Sequence, residues 1–271
     1  MTCSATCSER PASRAGRRWK SRMREEKSMT EAEIFEFDLN GYIVYKDMLT
    51  RDQVGHMNGI LDSHLPEETH GFDFLLLDPV FMELMAHPPT LRIIRTMIGQ
   101  WLRLDHAYGL QMDRQSVERG HVRPNLHGGL RHDHGEHQYQ WFDGQMYNGL
   151  IVVMYALEDV HPGDGGLICV PGSHKASFRY RPPVDSHLVA NPSFMAGDML
   201  IFTEALVHGT TTWTSDRRRR ALLYKYSPGY SSWATVDRLD EAREMAANDL
   251  QRDLLRPPSV GKRTPLEIPE A

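Results

Sequence analysis

The chain has 271 residues, 40% of them hydrophobic and 25% charged, with a formal net charge of −5. That balance fits an ordinary globular protein with one sizeable core. It excludes a general binder of nucleic-acid polymers or membrane surfaces, which needs a basic face, and no apolar run approaches the ~18 residues of a membrane span.

Residues 1–28 carry eight Lys/Arg against three Glu and no apolar h-region, so a disordered basic tail is expected rather than a secretory signal. Cys3 and Cys7 lie in that tail and Cys169 in the apolar run "GGLICVPG". This is no disulfide framework, and a reducing cytoplasm fits it. A single domain is expected over residues 29–256, followed by a loose tail at 257–271. After a turn at Asn40-Gly41, "GYIVYKDML" reads as a short strand. Thr50 and Gln53 form a capping box that opens a helix to about His64, with Val54, Met57, Ile60 and Leu61 on one face. "PVFMELMAH" and "PTLRIIRTMIG" read as two further helices, the second closed by Gly99.

Beyond Trp101 the pattern becomes strands: "RLDHAYGLQM", "GLIVVMYALEDV", "LICV", "DMLIF" and "RALLYKY", separated by Gly/Pro turns. "DRLDEAREMAANDLQRDLL" reads as a closing polar helix. Helices followed by many short strands indicate a mainly β domain with flanking helices (α+β), a sandwich or barrel. In "RRRRALLYKY", alternation sets Arg219, Ala221, Leu223 and Lys225 on one face and Arg218 and Arg220 on the other. The apolar companions of Arg219 make it the inward arginine; Arg217, Arg218 and Arg220 read as a solvated strand edge.

The stretches "GDGGLICVPGSHK", "AGDMLIF" and "VHGT", followed by Arg219, resemble the phytanoyl-CoA dioxygenase family of Fe(II)/2-oxoglutarate-dependent oxygenases, from about Phe35 to Trp233. The resemblance implies a double-stranded β-helix (jelly roll, cupin-like). It implies that His208 is the distal iron ligand, that Arg219 binds the far carboxylate of 2-oxoglutarate, and that Thr210 assists it. Ferrous iron that binds O2 needs few protein ligands on one face, and a dianionic cosubstrate calls for a guanidinium fork.

The first histidine of the family pattern falls on His127, but where its carboxylate would stand the chain has Gly129. Three readings follow. A chloride ion fills the vacancy facing Gly129, as in the His-x-Gly halogenases, some of which chlorinate nucleotides. Alternatively, His134 and Glu136 replace that pair and, with His208, make a hydroxylase. In the third, the jelly roll is a non-catalytic binding protein. The halogenase reading is preferred here, because "RHDHGEHQYQWFDGQMYNG" reads as a flexible, polar substrate loop and a poor place for fixed ligands. Arg131, His132, His134 and His137 of that loop, with Arg123 before it, are expected to contact a small polar substrate, an adenine deoxynucleotide being one candidate.

Overall fold

The computed structural model describes residues 29–66, 69–118, 120, 123–131, 133–233, 239–261 and 264–269. The basic tail with Cys3 and Cys7, and His132, lie outside the described residues.

A helix precedes the expected first strand. Helix α1 (Glu31–Asn40) begins at a complete Thr30/Glu33 capping box and ends at Gly41, whose φ of 77° is the left-handed conformation glycine adopts at no steric cost. Strand β1 is Tyr42–Tyr45. Helix α2 (Arg51–His64) starts on the Thr50/Gln53 box and buries Val54, Met57 and Leu61. After the short β2 (Gly71–Phe72) come α3 (Pro79–Met85) and α4 (Pro88–Ile98), each with proline in its first turn. The remaining elements are β3 (Leu102–Met112), α5 (Arg114–Glu118), β4 (Asn125–Gly128), β5 (Tyr139–Phe142), β6 (Gln145–Asn148), β7 (Ile151–Ala156), β8 (Gly166–Cys169), β9 (Met199–Thr203), β10 (Val207–Thr211), β11 (Arg219–Pro228), α6 (Asp240–Met245) and α7 (Asp249–Leu254).

The strands form a six-stranded sheet in the order β1-β9-β7-β11-β3-β2 and a three-stranded sheet β4-β10-β8. Side chains alternate across the larger sheet. Val152, Met154, Ala156, Leu200, Phe202, Ala221 and Leu223 point inward and pack with Leu167 and Cys169 of the smaller sheet. Ile151, Val153, Tyr155, Met199, Ile201, Leu222, Tyr224 and Tyr226 point outward onto the helices. Every residue of β7 is therefore buried, as a strand covered on both faces must be. Leu126, Ile168 and Val207 form a separate cluster on the outer face of the smaller sheet. This is the jelly roll the sequence led us to expect, with a closed interior between the sheets.

Four expectations are corrected. Arg220 is not solvated: it is 2% exposed and bonds Gln111, Asn58 and Asp62 beneath the helices. The reason is that β11 is no edge strand, since β7 and β3 flank it, and its outward face lies under the helices, where α2 carries Asn58 and Asp62. Arg218, on the same side, pairs with Asp62 and Glu158. The polar stretch after His137 is a hairpin, β5 paired with β6, turned by Asp143 and Gly144 at φ of 50° and 70°. Asp-Gly with both φ positive is the turn whose twist matches paired strands. Finally, the C-terminal stretch expected to be loose is docked over residues 264–269: Leu266 is buried and its N–H donates to the Gln100 carbonyl.

Candidate active site

Two neighbouring strands bring the first two site residues together. His208 on β10 is paired directly with His127 on β4, and the ring centroids are 4.4 Å apart. The imidazoles are oriented by their Nδ1 atoms. His208 Nδ1 donates to the Leu206 carbonyl at 2.8 Å, and His127 Nδ1 to Asn125 Oδ1 at 3.3 Å. Each Nε2 is left as the free ligating atom, the usual arrangement for a histidine whose tautomer is fixed from behind. Burial pushes His208 down to about 4, with Glu204 only partly opposing it. His127 is more exposed, and partial desolvation of its ring lowers it too. Both rings are therefore neutral electron-pair donors at neutral pH.

A third group stands beside them that the sequence reading did not single out. Among the described residues, the ligating atoms of His127, Glu204 and His208 all lie within 4.8 Å of one another. Glu204 occupies the turn between β9 and β10, where its N–H donates to the Leu150 carbonyl and Leu206 N–H closes the turn on Thr203. It is 2% exposed. Lys225, inward on β11 as alternation requires, donates to Glu204 Oε2 at 3.1 Å and lies 5.6 Å and 5.4 Å from the ring centres of Tyr108 and Trp233. Burial alone would raise the Glu204 carboxyl; His208 and Lys225 outweigh it and hold the group below its ordinary range. A signal was present in the sequence. Glu204 is the one charged residue in "MLIFTEALVH", and an acid inside an apolar run needs a partner.

Arg219 is also inward, 2% exposed, with Nη1 3.1 Å from Met112 Sδ and Nη2 3.7 Å from Met154 Sδ. No carboxylate pairs with it among the described residues, and burial pushes its pKa down to about 10. The backbone of β8 makes room for it: a Cβ on Gly166 would fall 3.0 Å from Arg219 Cδ and Nε. Gly166 is the partner of Thr211 on β10, which sets the guanidinium near the end of β10 that bears half-buried Thr210. Thr210 shares a strand face with His208.

Gly129 is buried, with φ 94°. A Cβ built there would point at Val207 Cγ2, 3.0 Å away, and Val207 belongs to the outer cluster, away from the imidazoles. His134 and Glu136 do not join the group with His208. His134 Nδ1 and Glu136 Oε1 are 2.7 Å apart, and the same oxygen is 3.8 Å from His137 Nε2. His137 is buried, donates from Nδ1 to the Gly129 carbonyl at 3.0 Å and stacks on Trp233 at 22°. Arg131 pairs with Asp133, and Arg123 is exposed. A cleft of about 1000 Å³ lies between α3, α7 and the C-terminal segment and shares no residue with this group.

Among the described residues, no helix is long and apolar enough to cross a membrane. A comparison with curated protein sequences gives no match. Among solved structures, the fold is similar to HygX from Streptomyces hygroscopicus with nickel and 2-oxoglutarate bound (24% identity, 77% of this chain and 91% of that one, TM-score 0.67). It is similar to the same protein with nickel, 2-oxoglutarate and hygromycin B bound (24% identity, 77% and 92%, TM-score 0.67). It is also similar to the apoform of EctD from S. alaskensis (17% identity, 74% and 78%, TM-score 0.55). The family model for phytanoyl-CoA dioxygenase matches residues 75–221, more than half of the chain. The chain belongs to the phytanoyl-CoA dioxygenase family of iron- and 2-oxoglutarate-dependent oxygenases.

Proposed function

We propose that this protein uses Fe(II), 2-oxoglutarate and O2 to functionalise an unactivated C–H bond of a small polar molecule, and that the atom it delivers is oxygen. The observation that carries the reading is Arg219: a buried guanidinium lying on two methionine sulfurs, with no carboxylate partner among the described residues. A buried cation without a counter-ion is costly, and an anionic ligand relieves that cost. A dicarboxylate fits, because the guanidinium fork binds a carboxylate bidentately. HygX holds 2-oxoglutarate and a metal on a similar frame, which supports the same use of this one.

The donor set fits the metal. Two neutral imidazoles with their Nδ1 atoms committed elsewhere suit a borderline divalent ion such as Fe(II), and His127 and His208 would hold it. Bound iron would supply the oxidative decarboxylation of 2-oxoglutarate by O2 and the hydrogen abstraction from substrate. The chain's own part is positional. Arg219 and Thr210 hold the tail of the cosubstrate, and Met112, Met154 and Leu223 keep water from its stem. The substrate is a small molecule rich in polar groups; HygX in complex with hygromycin B is one precedent for that class, and adenine deoxynucleotides are another member of it.

Halogenation is the second reading, favoured by the missing carboxylate at Gly129. The oxygenation reading is supported by the direction of that missing side chain, which would leave the site toward Val207; its absence therefore opens no position beside the imidazoles. The test is to incubate protein, Fe(II), 2-oxoglutarate and O2 with a panel of aminoglycosides and deoxynucleotides, in chloride or bromide. Substrate-stimulated succinate and a product heavier by one oxygen, unaffected by halide, are expected. A product whose mass follows the halide would establish the second reading, and no succinate with any substrate would leave only a binding protein.

A further inference from the structure

With no side chain at 129 to supply a carboxylate, two histidines alone face the proposed metal from β4 and β10. We infer that Glu204 supplies the carboxylate ligand, and that Lys225 is the positioning residue that holds it. This rests on the metal-dependent reading above and names a ligand outside the His-x-carboxylate pattern.

The geometry points there from three sides. First, the Nδ1 atoms of His127 and His208 are both engaged by oxygen acceptors, so their Nε2 atoms present lone pairs. Second, His208 Nε2 is 3.7 Å from Glu204 Oε1. In that tautomer both atoms are electron-pair donors with no hydrogen to share. Two donors facing each other in a buried site repel, and a cation between them and His127 turns the repulsion into ligation. Third, Lys225 takes the other oxygen, Oε2, at 3.1 Å, which leaves Oε1 for the metal as a single-oxygen ligand.

The backbone supports the arrangement. The turn that carries Glu204 is anchored to the Leu150 carbonyl, on the β7 side of the interior. It also comes close to β4 because Gly128 has no side chain: a Cβ there would sit 2.5 Å from the Leu206 carbonyl oxygen and 3.0 Å from that of Glu204. Lys225 lies under the rings of Tyr108 and Trp233, so its ammonium has little freedom to swing away. The three ligands thus come from β4, from the β9–β10 turn and from β10.

A purely structural Glu204–Lys225 ion pair makes a different prediction, and metal affinity separates the two. The metal-free full-length chain is titrated with Co(II), followed by visible absorption and calorimetry, with circular dichroism to check folding. Wild type is expected to bind one Co(II), Glu204→Gln to weaken binding by about 100-fold or more, and Lys225→Met by about 10-fold. Should Glu204→Gln unfold because it strands the buried Lys225, the double variant Glu204→Gln/Lys225→Met removes both charges and is expected to fold and to bind as weakly. Chloride or bromide is expected to leave the wild-type Co(II) spectrum unchanged. Glu204→Gln, or the double variant, binding within about threefold of wild type would overturn the inference while leaving the metal reading intact; a halide-dependent spectrum would also overturn it. Wild type that binds no Co(II) would overturn both.

Discussion

At the scale of single residues, Gly129 shows how a missing side chain can have a backbone cause. Its φ of 94° lies in the region L-residues avoid, and its absent Cβ faces the outer apolar cluster. The substitution Gly129→Asp is therefore predicted to cost stability, on the order of 1–3 kcal/mol from the strained backbone. It is also predicted to leave Co(II) affinity unimproved, because the new carboxylate leaves the site. A melt and a titration check both halves, and tighter metal binding would show that the side chain at 129 does reach the metal group. The arginine was legible from strand alternation, whereas the carboxylate had only its isolation in an apolar run to mark it, for a physical reason. Alternation along β11 is a local rule and places Arg219 and Lys225 inward without knowledge of the rest of the chain. Glu204 sits in a turn, where no periodicity applies, and its meaning depends on Lys225, 21 residues on.

At the scale of elements, the same strand separates what periodicity can say from what it cannot. The inward and outward sets of β11 follow from the two-residue repeat, but what covers the outward set comes from elsewhere in the chain. Arg220 reads as exposed until α2 delivers Asp62, 158 residues away in sequence. Leu222, outward on the same strand, is fully buried against the helices. Leu222→Ala is predicted to destabilise by about 3 kcal/mol, the cost of a cavity in a core that relaxes only partly; denaturant unfolding measures it, and a loss under about 1 kcal/mol would show a mobile interface. The hairpin after His137 was hidden differently. Its strands are polar outside, so composition suggests a loop, while the Asp143-Gly144 turn was the readable sign of pairing. Helix α1 carried its own sign too, the Thr30/Glu33 capping box.

At the scale of the whole molecule, buried imidazoles tie stability to pH. Burial pushes both His174 and His208 down to about 4 from an ordinary value of 6.5. His174 is packed edge-on against Tyr139 with Nε2 donating to the Asp38 carbonyl. Because the folded values are depressed, the unfolded chain takes up these protons first as pH falls. The stability they contribute is complete above about pH 6.5 and is lost as pH falls toward 4. Between those limits the metal-free protein should lose roughly 1.4 kcal/mol per pH unit for each of the two groups. Unfolding at about pH 5 should take up about one proton for each of these two groups. A stability flat from pH 6.5 to 4.5 would contradict this. The jelly-roll architecture itself was legible, since its strands and Gly/Pro turns recur along the chain; the metal group was only partly so, because its parts come from separate strands and a turn.

If Arg219 and the metal group form one 2-oxoglutarate site, calorimetry of 2-oxoglutarate binding to Co(II)-loaded protein shows it. Binding is expected to be one-to-one, to require the metal, and to be weakened about 100-fold or more by Arg219→Ala, since two charge-assisted hydrogen bonds are lost. Metal-loaded wild type that does not bind 2-oxoglutarate, or an Arg219→Ala variant that binds it as tightly as wild type, would contradict it.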